Sequence, residues 1–551
     1  MSADFEKVLV KDPRLDVADS IKYAVIKGGQ NVTASPFRFI SETTSQVVFN
    51  IQVPSEQTIV DRRVLWQSQL QITTGNESTS QVYGITWSLA SFPLHQLLSV
   101  MQATINNNTV SLNIGDVLTV IVRMLCCEDL TWWNSGAPTF ADTQKLYDDA
   151  AGFNNLGVFN QNNPLSSLWG VEYGKNPHRG CFAPQSKTTV SSVTTWSFDI
   201  VEPLLISPFI FSNLKANAQG FYGIQNMNFI LNKSSNFKKC ARGNVSVGSA
   251  TTNDSTLLFM FLTPHPSDLM PARNIVPFYE LPRYITACPD IAASTLSNGP
   301  AAAATGEVVL NTLQLNQIPD KLLIYIRKPL ENNSTDSDTV FPIGRISINF
   351  NNNSGILASA APQQLWEMSR SNGLQNTWTE YCGFGVTQTD PSRASGGYQF
   401  VGTVGSYLVL EFGKDIQLTE DFYAAGSLGN FNLQVTLKFS NNSATAYNAA
   451  GSNNLQVILV TMNSGVFVNE RGTSSTYTGI LTKQDVLEAS QQDHYTHHDV
   501  ARMVGGGLFD MVKSGLSKGK KHLLKKGKEL AQKHGEKLME KGANALSKYL
   551  Q

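Results

Sequence analysis

The chain repeats itself, and this constrains its fold more than any single motif. The segment ATINNNTVSLNIGDVLTVIVRM (Ala103–Met124) runs from a strand pattern through an asparagine-rich turn into a helix pattern, and RISINFNNNSGILASAAPQQLWEM (Arg345–Met368) does the same. Two more pairs follow in the same order: YGIQNMNFILN (Tyr222–Asn232) with LGNFNLQVTLKF (Leu428–Phe439), and STLLFMFLTP (Ser255–Pro264) with NNLQVILVTM (Asn453–Met462). The offsets are about 245, 204 and 198 residues, so the first copy carries some forty extra residues, which we place in Glu128–Lys187. Self-similarity in a fixed order is the mark of a duplicated structural unit. Asparagine-rich strand ends can also look alike by chance.

What is duplicated reads as β-structure. SQVVFNIQV (Ser45–Val53), RRVLWQSQLQIT (Arg62–Thr73), TVSSVTTWSFDIV (Thr189–Val201) and KLLIYIR (Lys321–Arg327) are alternating or β-branched runs closed by Asn, Gly, Ser and Pro. About eight such strands per copy, with one or two short helices on the connections, match a sandwich closed by Greek keys. The expected fold class is all-β: two tandem eight-stranded jelly rolls with short helices. The expected divisions are an N-terminal arm (1–29), a first jelly roll (30–268) with its insertion near 128–187, a second (269–487), a connector (488–507) and a basic tail (508–551).

Charge separates the tail from the body. From Leu508 onward eleven lysines face four acids, a net of +7, and the whole chain carries −1, which leaves −8 for the rest. The tail alone is suited to an anionic partner: a membrane surface, nucleic acid or an acidic protein. Charged residues are only 15% of the chain, against about 25% in ordinary soluble proteins. A body of this kind covers itself with uncharged polar groups or buries surface against neighbours, since interface centres are depleted of charge. The six cysteines show no CxxC spacing, and MSADFEKVLVKDPRLD has no apolar core, so synthesis in the cytosol or nucleus is expected.

KDPRLDVADSIKYAVIKGGQNVTASPF, VPSEQTIVDRRVLWQSQLQIT and FPLHQLLSVMQATINNNTVSLNIGDVL together resemble the major capsid proteins of small eukaryotic double-stranded DNA viruses, the virophages and polinton-like viruses. The resemblance is firmest over residues 10 to 125 and rests on the duplicated architecture beyond that. It implies a double jelly roll whose trimers form pseudo-hexagonal capsomers of an icosahedral shell in the virion, beside penton and minor capsid proteins. Loops between strands would build towers, and Leu130–Gly180 is the candidate for tower or trimer contact. Within it Trp132 and Trp133 are candidate interface anchors, or else pack within the loop's own small core.

At the boundary between body and tail stands RMVGGGLF. Met503, Val504, Gly505 and Gly506, followed by Gly507, match the substrate pattern of adenovirus-type viral cysteine proteases, with cleavage expected after Gly506. Glycines let a substrate strand lie flat in a narrow groove; a plain flexible hinge is the competing reading. Beyond it Phe509, Val512, Leu516, Leu523, Leu530 and Leu538 fall within an arc of roughly 100° on a helical wheel. Lysines, among them Lys520, Lys521, Lys525 and Lys526, occupy most of the remaining circumference. Such a helix suits an anionic membrane interface, while five glycines at about 1 kcal/mol each make it a poor helix in water. Membrane disruption, scaffolding and condensation of viral DNA remain open as its use.

Enzyme chemistry finds little support. No H-x-H pair for a cupin, no Walker loop and no nucleophile elbow occur. His494 and His498 in DHYTHHD have helical metal-ligand spacing but sit in a polar connector, where a solvated linker or a pH-responsive cluster also fits. No cofactor and no small-molecule substrate are expected. The competing classes are a glycan-binding or fibre-type tandem β-sandwich, and a penton protein, for which one jelly roll would suffice.

Overall fold

The computed structural model describes residues 30–75, 83, 87–124, 184–209, 220–243, 245–264, 273–289, 291, 303–329, 338, 340–388, 398–418, 424–441 and 455–479. The principal strands of the first half are β1 (Gln30–Arg38), β2 (Gln46–Gln52), β3 (Leu65–Gly75), β4 (Leu98–Ile105), β5 (Asn108–Leu112), β6 (Val193–Pro203), β7 (Asn226–Lys233) and β8 (Val247–Pro264). Helix α1 (Ile114–Met124) follows β5. The strands pair antiparallel in two sheets, β1-β8-β3-β6 and β2-β7-β4-β5.

The second half runs β9 (Arg273–Glu280), β10 (Ala304–Val309, continued by Leu313–Gln317), β11 (Lys321–Arg327), β12 (Ile343–Phe350), β13 (Asn353–Ile356), β14 (Leu408–Glu411), β15 (Leu428–Asn441) and β16 (Gln456–Glu470). Helix α2 (Pro362–Ser371) follows β13. Its sheets are β9-β16-β11-β14 and β10-β15-β12-β13. Every label in this half is its first-half counterpart plus eight, neighbour for neighbour. The same jelly roll is written twice, and the three sequence repeats are β4-turn-β5-α1 with β12-turn-β13-α2, β7 with β15, and β8 with β16.

Alternation builds each core. Val47, Phe49 and Ile51 of β2 and Trp66, Leu70 and Ile72 of β3 point inward, as do Phe431, Leu433, Val435, Leu437 and Phe439 of β15. Side chains alternate across a strand, so each sheet hides one apolar face on the other. Phe229 and Phe259 meet across the first sandwich with ring centroids 6.1 Å apart.

The asparagine turns have a stereochemical reason. Asn106 (φ 53°) and Asn351 (φ 51°) adopt the left-handed conformation, which Asn tolerates better than most residues. Each accepts a backbone N–H through its Oδ1, Asn106 from Gln225 at 2.8 Å and Asn351 from Asn432 at 2.9 Å. The run Thr189–Val201 is not the single strand its composition suggests. Ser191 (φ 47°) and Ser192 (φ 71°) reverse the chain, and a short strand, Ser186–Val190, pairs back on β6. Two consecutive positive φ values give a hairpin turn matched to strand twist, which β-propensity alone does not reveal.

Candidate functional site

The two sandwiches meet in a seam that buries polar and charged groups of both. Helix α1 is buried nearly all round, including Val117, Leu118, Val120, Ile121 and Val122. Strand β11 is buried at every position, although antiparallel sandwich strands commonly keep one face in water. Leu322, Ile324 and Ile326 fill their own sandwich, and Tyr325 and Arg327 on the opposite face turn to α1.

Asp116 of α1 is the focus of this contact. Its carboxylate pairs with the Arg327 guanidinium and lies 2.7 Å from Arg283 Nε. The Tyr325 hydroxyl donates to the Asp116 carbonyl oxygen, and Arg327 Nη1 donates to the Gly115 carbonyl oxygen at 3.1 Å. The Tyr407 hydroxyl donates to the Asp338 carbonyl oxygen at 3.3 Å, and the Thr119 carbonyl, one turn along α1, accepts from Arg123 Nη1 at 2.9 Å. Arg123, a further turn along, lies 4.9 Å above the Tyr407 ring.

A second ionic group surrounds Asp338, which belongs to the second half. Arg242 Nη2 of the first half is 2.8 Å from Asp338 Oδ1, and Arg123 Nη1 is 3.6 Å from Oδ2, with all three side chains at most 3% exposed. Burial alone would raise the Asp338 carboxyl, but Arg242, Lys239 and Arg123 outweigh it and hold the group below its ordinary value. Burial likewise lowers the Lys239 ammonium to about 8, with Asp338 opposing the shift. Replacing such clusters by apolar groups is often harmless, but removing one partner costs about 3–5 kcal/mol.

The third zone is the first asparagine turn. Asn106 Nδ2 donates to Ser474 Oγ at 2.8 Å, and Ser474 N–H donates to Asn107 Oδ1 at 2.8 Å. Asn108 Nδ2 donates to Thr476 Oγ1 at 3.4 Å. Ser474 and Thr476 lie on the strand Thr473–Thr478 that folds back on β16. The turn that marks the repeat therefore also ties the two copies together.

Of the eight histidines only His95 lies among the described residues, and it is a packed core group. Its Nδ1 is 2.5 Å from Glu202 Oε2, and its Nε2 accepts the Leu205 N–H at 3.3 Å. Cys240 is a buried free thiol. Trp132 and Trp133, Met503 to Gly507, the tail residues from Phe509 to Leu538 and the histidines of DHYTHHD lie outside the described residues. Sequence reasoning missed the seam residues Asp116, Arg123, Arg242, Arg283, Arg327 and Asp338. One signal was present: KLLIYIR lacks the alternation of a one-sided strand, whereas the polar stripe of α1 (Asp116, Thr119, Arg123) reads as an ordinary solvent face until the structure shows it buried.

Comparison with known proteins accounts for the twofold architecture. Residues 3–257 match the family model described as the Sputnik virophage major capsid protein first domain, and residues 281–465 match that of the major capsid protein V20 C-terminal domain. The chain belongs to the virophage major capsid proteins. Sputnik virophage's putative capsid protein V20 is 29% identical over 539 residues, covering 93% of this chain and 86% of the relative. The chain in the cryo-EM structure of the Sputnik virophage superposes with a TM-score of 0.74 at 26% identity, over 90% of this chain and 98% of that one. The mavirus major capsid protein shares the fold, with a TM-score of 0.68 at 14% identity over 90% and 99% of the two chains. This virophage capsid protein is thus a structural component of the virion that assembles with itself into the shell. The seam is what makes two sandwiches one building block.

Proposed function

We propose that three copies of this capsid protein associate into a pseudo-hexagonal capsomer, and that such capsomers tile an icosahedral shell with penton and minor capsid proteins at the remaining positions. One observation carries this reading: the chain contains two sandwiches whose eight principal strands pair in the same order. Three chains then offer six similar units, and six similar units fill a hexagon. Closed cyclic association is the common solution for identical chains. The low charge of the body supports it, because surface destined for a neighbour loses little by lacking ions. Light scattering on the purified chain is expected to give three times the chain mass; a monomer at every concentration would refute the reading.

The same account takes 1–29 as an arm, 30–268 and 269–487 as the two jelly rolls, 488–507 as a connector and 508–551 as a tail released by a viral cysteine protease after Gly506. It is supported by the coincidence of the Met503–Gly507 pattern with the charge boundary. Once released, the tail's apolar stripe and lysine face suit membrane binding or internal scaffolding better than base stacking. Mass spectrometry of mature virions is expected to find chains ending at Gly506. Infectious particles holding only the 551-residue chain would end this part of the account.

A further inference from the structure

We propose that the open face of α2, carrying Gln364, Glu367 and Ser371, docks on the outer face of β3 in a second copy of this chain, reproducing between chains the contact that α1 makes with β11 within one. The proposal rests on the trimer reading above and assigns its interface.

The two helices occupy corresponding places. Each follows the fifth principal strand of its half, which an asparagine turn precedes, and each buries two residues one turn apart: Val117 and Ile121 in α1, Leu365 and Ser369 in α2, all at most 1% exposed. With those positions matched, Asp116, Thr119 and Arg123, which face the second sandwich, correspond to Gln364, Glu367 and Ser371. The first three are buried and the last three are exposed. One copy of a duplicated surface is covered by the sister sandwich, and the other has no such cover among the described residues.

The receiving surface is duplicated too. β11 meets α1 through Tyr325 and Arg327 on the face opposite its buried Leu322, Ile324 and Ile326, and β3, its counterpart, carries Gln67, Gln69 and Gln71 on the face opposite its buried Trp66, Leu70 and Ile72. On that outer face the register sets Val201, Gln67 and Thr256 side by side, then Asp199, Gln69 and Asn253, then Ser197, Gln71 and Thr251, then Thr195, Thr73 and Ser249. Asp199 is the one ion among these twelve residues. A wide sheet face of amides and hydroxyls offers partners to Gln364 and Ser371 and hydrogen-bond donors to the Glu367 carboxylate, which has to seat away from Asp199.

The open helix also adjoins the seam. Gln375, just beyond α2, donates its N–H to the Arg123 carbonyl oxygen at 2.8 Å, at the C-terminal end of α1. The covered and uncovered helices therefore meet at their ends, so a neighbouring chain seated on α2 would continue the internal interface. The chemical difference between the copies has a physical cause. The internal seam closes once, during folding, and tolerates Leu118, Val122 and buried ions, whereas a surface that waits for a partner must stay soluble.

Paired cysteines test this. Glu367→Cys is combined with Gln69→Cys, or with Gln67→Cys or Gln71→Cys one pleat away, in the full chain, and oxidised mildly. Interchain disulfides in at least one combination are expected, closing head to tail into a covalent trimer on non-reducing gels. Glu367→Cys alone should give none. If light scattering shows trimers and no combination crosslinks between chains, the interface is wrong and the trimer stands. Monomers throughout would overturn both, and an intrachain link would place α2 against its own first sandwich and also refute the docking.

Discussion

Replacing Asp116 by asparagine removes one charge with almost no change in volume and leaves the Arg327 guanidinium, 5% exposed, in the seam without its anion. Arg283, with a side chain 30% exposed, loses its partner but keeps water. Stranding a buried ion costs about 3–5 kcal/mol, and the more exposed pair adds at most about 1 kcal/mol. For a cooperative unit of 150–250 residues each kcal/mol moves the melting point by about 2–4 °C, so Asp116→Asn should lower it by roughly 6–24 °C. Because the ions join the two sandwiches, calorimetry should also show one transition splitting into two as they uncouple. The triple change Asp116→Leu, Arg283→Leu, Arg327→Met should recover most of the loss, since apolar substitutes for a whole ionic cluster are often neutral. A shift of Asp116→Asn below about 2 °C, with a single transition, would mean that these charges do not hold the seam.

The other seam groups give sharper dependences. Since the folded Asp338 carboxyl lies below its ordinary value, its stabilisation should be complete above about pH 4 and vanish as pH falls through the lowered value; denaturant midpoints of wild type and Asp338→Asn should converge in acid. Lys239, lowered to about 8, binds its proton more weakly folded than unfolded, so its contribution to stability should rise from about pH 8 towards the ordinary lysine value near 10.4. Lys239→Met should abolish that rise. Asn106→Ala should cost about 2–4 kcal/mol in urea denaturation, combining left-handed backbone strain with the lost bonds to Gly223 and Ser474. Asn106→Gly should recover only the backbone part.

The architecture was legible because the signals that specify it are local. Alternation along β2, β3 and β15 and the positive-φ asparagines at 106 and 351 are written in consecutive residues, and their recurrence in one order exposed the duplication. The seam was harder because Asp116 and Arg327 are separated by 211 residues, and nothing near either one names its partner. What could be read was one-sided: a strand without alternation announces that something covers it, not what, and the polar stripe of α1 does not announce its own burial. Ser191 and Ser192 were misread for a related reason, since serine is common in strands and turns alike and only the backbone angles decide. The uncovered face of α2 was invisible until the covered face of α1 supplied its template.

Each chain should supply two like sandwiches to a capsomer of the shell. A cryo-EM reconstruction of purified virions tests it directly. Each capsomer should resolve into six similar lobes with true threefold symmetry, and adjacent lobes should be joined alternately by the Asp116–Arg327 seam and by a contact between chains. Capsomers in which this chain fills a single lobe, or a shell whose hexagons are made by another protein, would contradict it.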